Sequence, residues 1–176
     1  MANNFSTRFR WFWAWQDEKE EAWLGKMSKQ GYHLSSIGFP GFYTFNKGEP
    51  KEYVYRLDYQ NFRKKDRQEY LQLFDDAGWE HLGEIGSWQY FRKEARPGET
   101  NEIFTDKYSK IGKYKRVIYY SVFFYLIFIA LFAGRITGDL PYGWWDAIQI
   151  IYLIIFLLLT YAIIRLALRI RKVKKG

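Results

Sequence analysis

The sequence contains no cysteine. That excludes a disulfide framework, a thiol nucleophile, an iron–sulfur cluster and a Cys-ligated zinc site. It fits a reducing compartment. Histidine is nearly as scarce. His33 and His81 are the whole set, and two histidines without a clustered third ligand do not make a metal site, so no metal or cofactor is expected. Glycine motifs that cradle phosphate or present a nucleophile are missing too: there is no P-loop, no G-x-G-x-x-G and no G-x-S-x-G. No catalytic residues are expected, and the chain reads as non-enzymatic. Leucine, isoleucine and valine are sparse before residue 107. Aromatic residues take their place, at 22% of the 176 residues. So much bulky apolar surface excludes a disordered chain. The length allows one modest domain plus an accessory segment. A mean hydropathy of -0.38 argues against a polytopic transporter.

The formal net charge of +8 is unevenly spread. Residues 1–106 hold 15 Lys and Arg against 17 Asp and Glu, whereas residues 107–176 hold 12 against 2. A protein that grips nucleic acid through its folded domain carries a basic stripe on that domain. Here that part is nearly neutral, so no direct nucleic-acid partner is expected.

The basic part also carries two apolar runs. Val117 to Gly134 and Ala147 to Ile164 are each eighteen residues without a charge. Each is near the minimum for crossing a hydrocarbon core of about 30 Å as a helix. Gly138, Pro141 and Gly143 break the chain between them, which predicts a transmembrane hairpin. Basic residues flank the outer ends: Lys107, Lys110, Lys113, Lys115 and Arg116 before the first run, and Arg165, Arg169, Arg171, Lys172, Lys174 and Lys175 after the second. The connecting loop sets Arg135 against Asp139 and Asp146. By the positive-inside rule both termini are cytoplasmic and the loop faces out. Lys113, Lys115, Arg116, Arg165, Arg169, Arg171 and Lys172 are then expected at the membrane surface, against anionic headgroups. Tyr119 and Tyr120 suit one aromatic belt, and Tyr142, Trp144 and Trp145 the other. The opening MANNFSTRFRWFW has no separate apolar core or small-residue cleavage site, so no signal peptide is expected.

The first hundred residues read as a duplication. Arg8 to Trp15 is an aromatic strand with Phe9, Trp11, Trp13 and Trp15 alternating. Asp17 to Gln30 is a helix that Asp17 caps, with Trp23, Leu24 and Met27 as its stripe and Gly31 as its stop. Two short strands follow, Tyr32–Ile37 and Phe42–Phe45, around the turn Gly38–Gly41. The order then recurs: a strand at Glu52–Tyr59, a helix at Lys64–Ala77 ended by Gly78, and strands at Trp79–Ile85 and Trp88–Arg92. Trp23-Leu24, Met27 and Gly31 match Tyr70-Leu71, Phe74 and Gly78 at a constant offset of 47. The expectation is an α+β fold: duplicated βαββ units forming one antiparallel sheet of about six strands with two helices on one face, followed by the two-helix transmembrane hairpin.

In domain terms, residues 1–97 form a cytoplasmic domain with repeat units at about 8–47 and 52–94. Residues 98–116 form a basic juxtamembrane stem, and Thr105-Asp106 is a candidate N-cap for a helix running on into the first span. The spans are 117–134 and 147–164, the external loop is 135–146 and the basic cytoplasmic tail is 165–176.

The candidate ligand residues are strand aromatics and strand carboxylates: Trp11, Trp13, Tyr53, Tyr55, Asp58, Glu84, Trp88 and Tyr90. A sheet face lined with Trp and Tyr forms either a packed core or a cleft for a planar or cationic molecule. Asp17, Glu18, Glu20 and Glu21 are read as solvated charge at a helix start.

Several ordered motifs resemble one bacterial family. EEAWLGKMSKQGYHL (Glu20–Leu34), YTF (Tyr43–Phe45), EYVYRLDY (Glu52–Tyr59), WQYFRK (Trp88–Lys93) and IFTDKYSKIGKYKR (Ile103–Arg116) are similar to the domain of unknown function 2812. The resemblance implies a membrane-anchored protein, often encoded beside PadR-type transcriptional regulators. It implies no catalytic residues. The sequence therefore points to a membrane-anchored cytoplasmic module that binds a small molecule or a protein partner, with a regulatory or envelope-stress role. The partner would be a PadR-type regulator or a membrane complex. The alternative is an accessory or assembly subunit of a membrane complex such as a transporter, acting through its hairpin.

Overall fold

The computed structural model describes residues 4–62, 64–96, 98, 101–103, 107–135 and 144–175, without the side chains of 64, 65, 107, 132–135 and 144–146. The proposed N-cap at Thr105-Asp106, the loop residues Gly138, Asp139, Pro141, Tyr142 and Gly143, and the side chains of Lys107, Arg135, Trp144, Trp145 and Asp146 lie outside this set. The chain divides into two compact units, Met1–Asp106 and Lys107–Gly176.

The first unit runs β1 (Phe5–Phe9), α1 (Asp17–Ser28), β2 (Tyr32–Gly38), β3 (Phe42–Lys47), β4 (Tyr53–Tyr59), α2 (Lys64–Asp76), β5 (Glu80–Ile85) and β6 (Trp88–Glu94). This is βαββ twice. The strand orders β1-β3-β2 and β4-β6-β5 are the same, and every pair is antiparallel. The repetition reaches the irregularities. Ser35 is the extra residue of a bulge between Leu34 and Ser36, and Leu82 is the extra residue between His81 and Gly83. These positions stand at the same offset of 47. Gly31 and Gly78 both stop their helices at φ +80. At Gly31 only glycine fits, because a Cβ would run into the carbonyl oxygen of Gly48.

The six strands make two three-stranded sheets where a single sheet was expected. The inner edges β2 and β5 lie side by side. Each carries its bulge there, which disrupts the regular spacing of N–H and C=O that a ladder needs. The helices also do not share a face. Tyr90 and Phe91 are neighbours in β6 and point to opposite sides. Tyr90 meets Glu20 of α1, and the Phe91 ring lies 4.5 Å from Phe74 of α2. The second sheet is therefore covered on both faces, which gives two cores. One gathers Leu24 and Met27 of α1 with Leu34, Phe45, Tyr55, Leu57 and Tyr90. The other is Phe74, Trp79 and Phe91. The repeat explains this arrangement: α1 must cover its own sheet and also lies along β4, the open edge of the second.

The first strand is shorter and earlier than expected. β3 begins at Phe42, the partner of Phe9. Beyond it one more bond forms, from Arg10 N to Gly41 O at 2.9 Å. With no partner strand left, Trp11, Trp13 and Trp15 leave the alternating pattern and form a linker into α1. Gln16, not Asp17, takes the cap position, because a turn from Trp13 O to Gln16 N (2.7 Å) delivers Asp17 already in helical register.

The second unit is α3 (Lys107–Arg135) and α4 (Trp144–Lys175). They pack antiparallel: Tyr125 meets Phe156 at 5.2 Å and Phe128 meets Tyr152 at 4.6 Å between ring centroids. Tyr125 and Thr160 share a hydrogen bond of 3.2 Å, a polar link of the kind that ties helices in lipid. Both helices are long and apolar enough to cross a membrane, over Tyr108–Leu131 and Ala147–Lys175. Only 11% and 6% of their most apolar windows are buried inside the protein, unlike the core helix of a soluble domain.

Candidate ligand-binding site

The aromatic linker folds over one end of the first unit and closes a cavity of about 170 Å3. Gly41 permits the fold-over, since a Cβ there would meet the Arg10 carbonyl oxygen. A bond of 3.2 Å from Trp13 N to the Gln16 side-chain oxygen braces the linker. Trp13 stacks on Trp15 at 5.3 Å, with Trp11 edge-on at 5.5 Å. The rim is open and apolar: Trp11 is 47% exposed, Trp13 37% and Phe39 81%. Trp88, at the start of β6, also lines the cavity.

The floor is polar. Asp17 and Glu20 enter it from the first turn of α1. Glu20 Oε1 accepts hydrogen bonds from the Tyr43 and Tyr90 hydroxyls, both at 2.7 Å. One carboxylate oxygen thus ties the first half to the second. The neighbouring Glu21 does related work on the open edge of β4. Its Oε1 accepts the Leu57 N–H at 2.9 Å, and its Oε2 lies 3.5 Å from Arg56.

Burial sets the electrostatics. Desolvation pushes the Glu20 carboxyl above the ordinary glutamate value, the Tyr90 and Tyr43 hydroxyls pull the other way, and Asp17 adds to the rise. Burial beside this carboxylate also raises Tyr43 and Tyr90, so both phenols stay protonated as donors.

These shifts predict a pH dependence. A carboxyl raised in the folded state binds its proton more tightly than in the unfolded chain. Its stabilising contribution is complete below the unfolded value near 4.5 and is lost as pH rises through the folded value. Glu20→Gln removes the loss while keeping an acceptor for both phenols. The full-length variant in detergent is expected to melt a few degrees above wild type at pH 7 to 8, followed by near-UV circular dichroism. The gap should close towards pH 4. A variant less stable than wild type at pH 8 contradicts the account.

The structure divides the eight predicted ligand residues. Trp11, Trp13, Trp88 and Tyr90 line the cavity. Tyr55 is 1% exposed and belongs to the core. Tyr53 packs on His33 at 5.4 Å, with the Arg92 guanidinium 4.8 Å from its ring. Asp58 points to the α2 face, where it accepts the Tyr70 hydroxyl at 2.9 Å. Glu84 accepts the Gln89 amide at 2.7 Å and faces Arg67 at 3.6 Å. Strand position alone could not sort these, since alternate residues face different cores. Asp17, Glu20, Tyr43 and Phe39 are among the cavity residues that the sequence reading missed. Helical periodicity held the signal for two of them. Stepping back from Leu24 by three, four and seven reaches Glu21, Glu20 and Asp17, so the apolar stripe begins with acids. All three are buried.

The two histidines act apart. His33 Nε2 bonds the Glu49 carbonyl at 2.8 Å, and His81 Nε2 bonds Gln89 at 2.9 Å. Of the basic membrane-flanking set, Lys115, Arg165, Arg171 and Lys172 are exposed and Arg116 is half-buried. Arg169 donates to the Tyr114 hydroxyl at 3.4 Å. Lys113 departs from the surface expectation. It is 3% exposed, with its ammonium 5.0 Å from the Tyr114 ring centre. It follows Gly112 and precedes the buried Tyr114, on a turn of α3 that is already packed.

No curated protein and no solved structure matches the chain. A family model does match, over residues 16–129. The stretch begins one residue before α1, includes Glu20, Tyr43, Trp88 and Tyr90, and runs well into α3. Trp11 and Trp13 precede it. Over that match the chain belongs to the family of proteins of unknown function designated DUF2812.

Proposed function

We propose that this chain is a membrane-anchored, non-enzymatic binding module that holds a small ligand under its aromatic linker. The observation that carries the reading is the cavity itself: aromatic walls around a buried carboxylate, at the junction of the two halves. Binding sites of this kind combine apolar walls with a few placed polar groups, and perturbed carboxylates concentrate at functional sites. At about 170 Å3 the cavity suits one ring or a branched group of similar bulk, since a 150 Å3 cavity takes up benzene. In this reading α3 and α4 cross the bilayer twice and hold the binding unit at the cytoplasmic surface, with basic clusters at both cytoplasmic ends. Binding at the junction of two repeats gives a ligand leverage on both sheets, which suits a regulatory or envelope-stress role. A PadR-type regulator as protein partner rests on the family resemblance, and a membrane complex as partner rests on the hairpin.

The test uses the full chain in lipid nanodiscs. Phenol, indole, tert-butanol, guanidinium and choline are titrated while tryptophan fluorescence and melting temperature are followed. At least one compound should bind saturably and raise the melting temperature in wild type. The effect should vanish in Trp88→Ala. A panel that leaves both signals unchanged overturns the ligand-binding reading.

A further inference from the structure

The walls and floor of the cavity determine the charge of its occupant. Two of its lining side chains are acids, Asp17 at 2% exposure and Glu20 at 6%, and none of the described lining residues is Lys, Arg or His. The groups acting on Glu20 are Tyr90, Tyr43 and Asp17, none of them a cation. The basic side chain of the linker, Arg10, does not line the cavity: its guanidinium lies 5.2 Å from the ring centres of Phe12 and Trp23, and its charge acts on Tyr43. The Tyr43 and Tyr90 hydroxyls both bond Glu20 Oε1, and the carboxylate lines the cavity. A site of this kind repels anions and gives a neutral ligand no use for the desolvated charge.

The aromatic groups complete the pattern. Trp11, Trp13 and Trp88 all line the cavity, and Trp is the residue whose ring face attracts a cation most strongly. Most of the other aromatic pairs in this unit are packed in a core, whereas Trp11, Trp13 and Phe39 stand exposed at the mouth. A bare metal ion does not fit these walls, and no group of three His, Cys, Asp or Glu able to hold one occurs among the described residues.

We propose that the cavity takes a compact organic cation, an alkylated ammonium of about the bulk of choline, held between the Trp11, Trp13 and Trp88 rings over the Glu20 carboxylate. The proposal rests on the ligand-binding reading and adds the chemical class. Charge is neutralised at the Glu20 carboxylate, and the alkyl groups occupy the aromatic walls.

The experiment compares choline with its neutral isostere, 3,3-dimethylbutan-1-ol, on the full chain in nanodiscs by tryptophan fluorescence. Shape and bulk are shared, so the ratio of affinities reports charge alone. Choline is expected to bind at least about tenfold more tightly. Glu20→Gln should cut that ratio several-fold, leaving the smaller preference that the rings supply. Because this variant is expected to be the more stable fold, its reduced preference cannot be put down to unfolding. Trp13→Leu, at an exposed rim position, should weaken choline several-fold and the alcohol little. Equal affinity for the two compounds in wild type overturns the cation proposal and leaves a ligand-binding cavity standing. Binding of neither compound, with phenol or indole still bound, does the same. Silence from every compound overturns both readings.

Discussion

Leu24→Ala should remove about 3–5 kcal/mol of folding stability. Leu24 is fully buried, and α1 places it among Leu34 and Phe45 of the first half and Tyr55, Leu57 and Tyr90 of the second. Truncation loses the transfer energy of the deleted atoms and leaves a cavity that two sheets must collapse to fill. Domains of this size hold only about 5–15 kcal/mol in total, so the loss is a large fraction of what keeps the two halves joined. It also lies one helical turn from Glu20, so the cavity floor should loosen with it. Urea unfolding of the full chain in detergent, followed by near-UV circular dichroism, reads the change in midpoint. Leu73→Ala is the control: Leu73 is 66% exposed on α2, and its loss should stay within about 0.5 kcal/mol. A Leu24 variant as stable as the Leu73 variant would mean that α1 does not join the halves.

The contrast between Leu24 and Glu20 shows what the sequence could reveal. Leu24 was legible, because Trp23, Leu24 and Met27 recur at helical spacing and again 47 residues later. The glycine stops, the repeated order of elements and the two apolar runs were legible for the same reason: each is a local pattern with one dominant physical cause. Glu20 was not read correctly because its residue type outweighed its position. An acid in a first helical turn is ordinarily solvated, and only the full packing of α1 against two sheets makes it a floor. The end of β1 was hidden for a related reason. Phe9, Trp11, Trp13 and Trp15 alternate as a strand would, but a strand lasts only while a partner runs beside it, and β3 begins only at Phe42, the partner of Phe9. The split into two sheets likewise follows from bulges that no local pattern announced.

Ile154→Arg combined with Leu157→Arg should abolish stable insertion of α4. The two residues stand three apart near the middle of the apolar run, and both are more than half exposed, at 56% and 58%. Exposure means opposite things in the two solvents. On a surface facing water, replacing two exposed apolar side chains by arginine is close to neutral and improves solubility. In a hydrocarbon core each exchange moves a helix-centre residue from about −0.5 to about +3 kcal/mol on the insertion scale, so the pair costs about 7 kcal/mol. At about 1.4 kcal/mol per tenfold this displaces the insertion equilibrium by several powers of ten. The control is Leu168→Arg. Leu168 is equally exposed at 51% but sits between Arg165 and Arg169, where an arginine reaches the interface along its own stem. Carbonate extraction of membranes, with a reporter on the C-terminus, measures the outcome. The double variant should appear in the soluble or degraded fraction, while Leu168→Arg stays membrane-bound with its reporter on the cytoplasmic side. A double variant that resists extraction like wild type would show that α4 does not lie across the bilayer. The exposed faces of α3 and α4 would then have to be an interface with protein.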